Sequence, residues 1–205
     1  MDIWEANARA NTFVPHPCTE PQVYRCTGET ECGQPEGVCD KWGCGYNQYA
    51  HGVHDFYGND PPKTVDTNRK FTVTTQFVAA NDELVEIRRS YAQDGKTIAN
   101  AAVSVSGGAL KVDSITDAYC EATAEWTQQR GGIKGMGEAF ARGMVLVFSI
   151  WADAGGYMNW LDSGNAGPCN ETEGNPREIV KHSPDAHLIF SNIRWGEIGS
   201  TTGSE

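Results

Sequence analysis

Five of the chain's seven cysteines fall between Cys18 and Cys44, spaced by segments rich in glycine and proline. No other feature narrows the fold as much. Thiols this dense, separated by turn formers, describe a loop stapled by disulfides in an oxidising compartment. Zinc offers a rival reading, with Cys39, Cys44, His51 and His54 as a knuckle. The five cysteines are not arranged as two CxxC pairs, and the spacing matches no common finger. The odd total leaves one cysteine over, which suggests that part of a longer chain is missing.

Around the staple the pattern is that of strands. Phe71–Phe77 alternates, with Phe71, Val73 and Phe77 on one face and Thr72, Thr74 and Gln76 on the other. Leu84–Tyr91 and Lys96–Val105 flank Gln93-Asp94-Gly95, and an Asp-Gly pair between strand-like runs signals a hairpin. Residues 113–120 read as a loop ending at Cys120, and Gly135–Arg142 as a short helix stopped by Gly143. Met144–Trp151 is a continuous apolar run, expected to be a buried central strand. Leu188–Ile198, bounded by Pro184 and Gly199, is expected to be another. The 23 glycines suit many turns, and no repeat or interdomain linker interrupts the chain. The expected fold is all-β: an antiparallel β-sandwich with long stapled loops and one short helix.

Charge removes whole classes of partner. A net charge of −11 argues against nucleic acid, which needs a basic face, and favours a neutral or cationic partner. No apolar run approaches the roughly 20 residues of a membrane span.

Two groups of residues carry chemistry. Asp2 and Glu5 flank Trp4, yet in a regular strand positions 2 and 5 face opposite sides. They share a face only if a bulge intervenes, and bulges favour active sites; otherwise both are ordinary solvated carboxylates. Trp151, Tyr157 and Trp160 lie close to Asn159, Asp162 and Ser163. Indole faces stack on sugar rings while polar neighbours bond the hydroxyls; the alternative is that these rings are core.

Met1-Asp-Ile-Trp-Glu-Ala-Asn7 followed by Pro15-His-Pro-Cys18 resembles the catalytic segment of glycoside hydrolase family 7, whose motif is Glu-x-Asp-x-x-Glu with Pro-His-Pro-Cys a few residues on. Further matching blocks are Phe71–Phe77, Gly143–Trp151, Met158–Ser163, Phe190–Arg194 and Gly199–Thr201, so the resemblance runs through essentially all 205 residues. It implies a concanavalin-like jelly roll, of which residues 1–205 are the C-terminal part of one catalytic domain. It further implies retaining hydrolysis of internal β-1,4-glucosidic bonds in cellulose and related glucans, with no metal and no cofactor. Glu5 matches the acid/base and Asp2 the residue supporting the nucleophile, which itself would precede Met1. His16 matches the histidine beside the leaving-group subsite, and Trp151 and Trp160 the two that stack on glucosyl rings. The implied bridges are Cys18–Cys39, Cys26–Cys32 and Cys44–Cys120, with the partner of Cys169 upstream of Met1. A secreted monomer is expected, with one N-glycosylation sequon, Asn170-Glu-Thr172. The short connection from Asp162 to Pro176, with Gln34 and Ala50 where cellobiohydrolases tend to carry arginines, favours an endoglucanase over a cellobiohydrolase. A non-catalytic glucan-binding sandwich would use the same tryptophans, and is the reading from outside the enzymes.

Overall fold

A computed structural model describes residues 1–201. β1 (Asp2–Ala6) and β2 (Asn11–Val14) open the chain as an antiparallel pair. The stapled loop follows and contains α1 (Gly28–Cys32). β3 (Tyr57–Gly58) and β4 (Val65–Asp66) form a short parallel pair. β5 (Thr72–Ala80), β6 (Glu83–Gln93) and β7 (Lys96–Ala99) form an antiparallel meander. β8 (Val103–Val105) pairs with β9 (Leu110–Val112), and β10 (Ser114–Ile115) returns to β6 to complete a four-stranded sheet. Helices α2 (Asp117–Thr123), α3 (Glu125–Gln129) and α4 (Gly132–Arg142) come next, then α5 (Asn159–Asp162) and α6 (Pro176–His182).

Local chemistry explains the hairpin between β6 and β7. Asp94 and Gly95 both have positive φ, 52° and 71°, and Gln93 pairs directly with Lys96. Two central residues in the left-handed region match the right-handed twist of the strands, and glycine takes that conformation at little cost. On β5 the alternation sorts side chains as expected. Phe77 packs on a core of Phe13, Tyr46, Ile87, Ile115, Tyr119 and Met136, and Phe71 and Val73 on a second one around Phe56, Val65 and Tyr91. Helix α4 lays Ile133 and Met136 into the first core and sets Phe140 against Phe77 at 4.5 Å; Gly143 ends it with φ 95°.

Three bridges are present: Cys18–Cys39, Cys26–Cys32 and Cys44–Cys120. Cys169 carries a free thiol. The zinc reading therefore falls, since Cys39 and Cys44 are both oxidised. His51 instead meets the Tyr119 hydroxyl at 3.0 Å, and His54 stacks on Tyr49.

Four expectations need correction. The loop predicted over 113–120 contains β10 and most of the first turn of α2, whose cap is the Thr116 hydroxyl accepting from Tyr119 N–H. Lys96–Val105 is two strands rather than one, broken at Asn100, whose side chain donates to the Asp113 carbonyl. More than one helix is present: α1 lies in the stapled loop, and α2 to α6 follow the last strand. Finally, Met144–Trp151 and Leu188–Ile198 form no strands and are not buried; Val145 is 87% exposed. Their composition supplies β propensity and apolar area, but a strand also needs a neighbour for its ladder. Among the described residues these segments find none, although Phe148 and Phe190 touch at 4.7 Å.

Candidate active site

The pairing of β1 with β2 decides where the carboxylates point. Asp2 lies opposite Val14 and Glu5 opposite Thr12, so Ile3 and Trp4 together face the single residue Phe13. That extra residue is a bulge, and it brings Asp2 and Glu5 to one face despite their odd spacing. Trp4 turns the other way. Its indole packs edge-on against Tyr57 and Tyr91, at 5.8 and 6.1 Å, and roots the strand in the second core.

His16, two residues beyond β2, completes the cluster. Its Nε2 lies 2.8 Å from Asp2 Oδ2, and its Nδ1 2.8 Å from the Asp40 carbonyl oxygen. Both partners only accept, so the ring donates from both nitrogens as an imidazolium. Burial pushes the His16 pKa down, but the bonds to Asp2 and to the Asp40 backbone outweigh it, and the net shift is upward. The same hydrogen bond holds the Asp2 carboxyl below its usual range despite partial burial.

Glu5 is shifted the opposite way. Burial raises its pKa first, the Asp2 charge raises it further, and the His16 cation offsets only part of that. No hydrogen bond or ion pair among the described residues holds its carboxyl, which is thus free to meet a ligand. Two carboxyls on the same face with pKa values pushed apart, Asp2 down and Glu5 up, divide naturally into electrostatic support and proton donation.

Supporting residues sit around this cluster. Asp40, 1% exposed, accepts from Gly43 N–H at 2.9 Å and from the Thr127 hydroxyl at 2.5 Å, which fixes the carbonyl that orients His16. Gly43 has φ 69°, and a Cβ there would lie 2.6 Å from His16 Cε1, so only glycine lets the ring settle. Asn7, two residues after Glu5, donates to Asp162 at 2.6 Å and joins β1 to α5. Trp160 on α5 and Trp151 are both half exposed, with near-parallel rings 6.2 Å apart. Neither ring belongs to the two core clusters of the described residues. Sequence inspection missed Asp40, Gly43 and Asn7, since their signal lies in long-range contacts; Asp40 stands next to a bridged cysteine, and that adjacency is the only local hint.

The site thus combines a bulged strand carrying two carboxyls, a carboxylate–histidine pair and exposed indoles on a disulfide-stapled β-rich scaffold. Residues 1–202 match the family model for glycosyl hydrolase family 7, and the chain belongs to that family. It is 57% identical over 205 residues to a probable endo-beta-1,4-glucanase celB of Aspergillus terreus, covering 98% of this chain and 47% of that protein. The structure of an endoglucanase I complexed with cellobiose is 51% identical, with a TM-score of 0.84 over 89% of this chain and 46% of that one. The native endocellulase EGI of Humicola insolens is 48% identical, with a TM-score of 0.85 over 90% and 46%. The chain thus spans about half the length of the relatives it matches.

Proposed function

We propose that residues 1–205 form the C-terminal part of a single catalytic domain that cleaves internal β-1,4-glucosidic bonds with retention, in cellulose or a related β-glucan. The observation that carries this is the bulge in β1, which puts Asp2, with its pKa held down, and Glu5, with its pKa raised, on one face. Glu5 protonates the leaving oxygen, then takes the proton of the water that releases the glycosyl-enzyme. Asp2 supports the attacking carboxylate, which lies outside these residues, roughly 5–5.5 Å from Glu5 as a retaining pair requires. His16 holds Asp2 ionised and lines the leaving-group side. The proposed two-carboxyl chemistry needs no metal.

The endo reading is supported by Gln34, whose amide is spent on the Cys39 carbonyl at 2.9 Å and offers no cation to a released disaccharide. The names of the relatives agree. The test uses the full-length gene product that carries this chain. A rapid fall in the viscosity of soluble β-glucan, with β-anomers formed first, is expected. Release of disaccharide with unchanged viscosity would make it a cellobiohydrolase, and binding without hydrolysis a glucan-binding protein. We also propose secretion as a monomer, supported by the three bridges, with Asn170 as the glycosylation site on an exposed turn.

The pH profile has a predictable sign. A raised Glu5 pKa keeps the acid protonated to higher pH, and activity is lost as pH rises through it. Asp2→Asn removes the like charge that raises Glu5, but also frees His16 of its partner. The Asp2 contribution to Glu5 exceeds that of His16, so the net effect is downward. The alkaline limb of kcat should move to lower pH, which a pH–rate profile checks. Movement to higher pH would show that His16 dominates.

Trp151 and Trp160 are proposed as stacking platforms. Each substitution to Ala should weaken oligosaccharide binding by roughly 1–2 kcal/mol, a fold of about 5–30, judged from aromatic stacking energies. Calorimetric titration reads it, and unchanged affinity would remove that ring from the site.

A further inference from the structure

Arg89, on β6, lies behind the bulge rather than in the site. Its Nη2 donates to the Ile3 carbonyl, the backbone group between Asp2 and Glu5. The guanidinium carbon sits 5.0 Å from the centroid of the Trp4 ring and 4.3 Å from that of Phe13, so residues from both sides of the bulge enclose it. The residue is 4% exposed, with no carboxylate paired to it among the described residues; the Tyr91 phenol is the side-chain neighbour that favours its charge.

That arrangement is expensive. Burying a cation without a carboxylate partner costs several kcal/mol. Methionine or leucine would fill the same space between two rings without that cost. A fold that needed only packing here gains nothing from a guanidinium. What an apolar side chain cannot do is bond the Ile3 carbonyl, which lies where the β1–β2 register shifts. An unpaired buried carbonyl would let the extra residue slip back into register, and a one-residue slip turns Glu5 to the opposite face. The buried charge is desolvated enough to bring its pKa down to about 10, still a cation at any pH at which a glycosidic acid works.

We infer that Arg89 is a positioning residue for the acid/base: its bond to the Ile3 carbonyl, with its ring contacts to Trp4 and Phe13, locks the bulge that sets the direction of Glu5. This rests on the assignment of Glu5 as acid/base. It differs from a role in substrate binding, because Arg89 is on the far side of β1, in contact with Trp4 rather than with the carboxylate face.

The test is leaving-group dependence in the full-length gene product. If Arg89 acts through Glu5, its loss must matter most where protonation matters most. For Arg89→Met, kcat/KM on unactivated oligosaccharide should fall by about 10²-fold, as expected for a misplacement near 1 Å. On an aryl β-cellobioside with a strongly acidic phenol it should fall by less than about tenfold, since such a leaving group needs little acid assistance. Damage to the fold alone would lower both equally, through the active fraction. Arg89→Lys keeps a cation and one donor and should recover part of the loss on the unactivated substrate. If Arg89→Met does not fold, Arg89→Lys carries the test with the same split. Equal losses on both substrates, or no loss, overturn the proposal. Glu5→Gln is measured beside them. If it shows the split and the Arg89 variants do not, only the role of Arg89 falls. If Glu5→Gln shows no split, the acid assignment falls, and the positioning role with it.

Discussion

Glu5→Gln in the full-length gene product is expected to lower hydrolysis of unactivated β-glucan by about 10²–10⁴-fold, the usual contribution of a general acid. The structure gives the reason. Glu5 is the one carboxyl on this face with a raised pKa, and the Asp2 charge beside it favours the protonated form. Glutamine keeps the shape but has no proton to give to a departing sugar oxygen. The same residue is needed twice, however, so the loss should differ by step. With an aryl glycoside bearing a good leaving group, glycosylation needs little acid, and the first turnover should remain fast. Release of the glycosyl-enzyme still needs Glu5 as base, so the intermediate should accumulate. Rapid-mixing experiments should then show a burst of phenol near one equivalent, followed by slow turnover. An equal loss on natural and activated substrates, with no burst, would remove Glu5 from both roles.

The second large effect concerns the 205 residues by themselves. Expressed alone, they are expected to be insoluble and to show no measurable glucan hydrolysis. Two apolar stretches drive the first outcome. Residues 144–151 expose Val145, Val147 and Ile150, and residues 188–195 expose Ile189 and Trp195, outside any strand of the described residues. Contiguous apolar surface next to unpaired ladder groups favours aggregation. The second outcome follows from the chemistry. A retaining mechanism needs two carboxylates, and within these residues the partner of Glu5 on its face is Asp2, already committed to His16 at 2.8 Å. An attacking group displaced by even 1 Å loses about 10²-fold. Coexpression with the unmatched half of a related family 7 endoglucanase should restore solubility and activity together. Hydrolysis by the purified 205-residue chain at the rate of a complete relative would show that the nucleophile lies within it.

Much of the chemistry was legible before the fold. The motif from Met1 to Cys18 picked out Asp2, Glu5 and His16, which the structure brings together, and the dense cysteines picked out the staple. These are local signals: a stapled loop needs cysteines close in sequence, and a catalytic strand carries its groups within a few residues. The hairpin at Asp94-Gly95 and the helix stop at Gly143 were equally local, since a positive φ favours glycine at its own position. Long-range features were not legible. Nothing in the order of residues 1–5 says that the strand bulges; the register against β2 says it, with Ile3 and Trp4 sharing Phe13. Nothing around Arg89 says that it reaches a carbonyl 86 positions away, nor around Asp40 that its carbonyl orients His16. The apolar runs at 144–151 and 188–198 mark the boundary from the other side. Their composition specifies a preference for strands, but a strand exists only when a second segment supplies its hydrogen bonds, and that is a property of the tertiary structure.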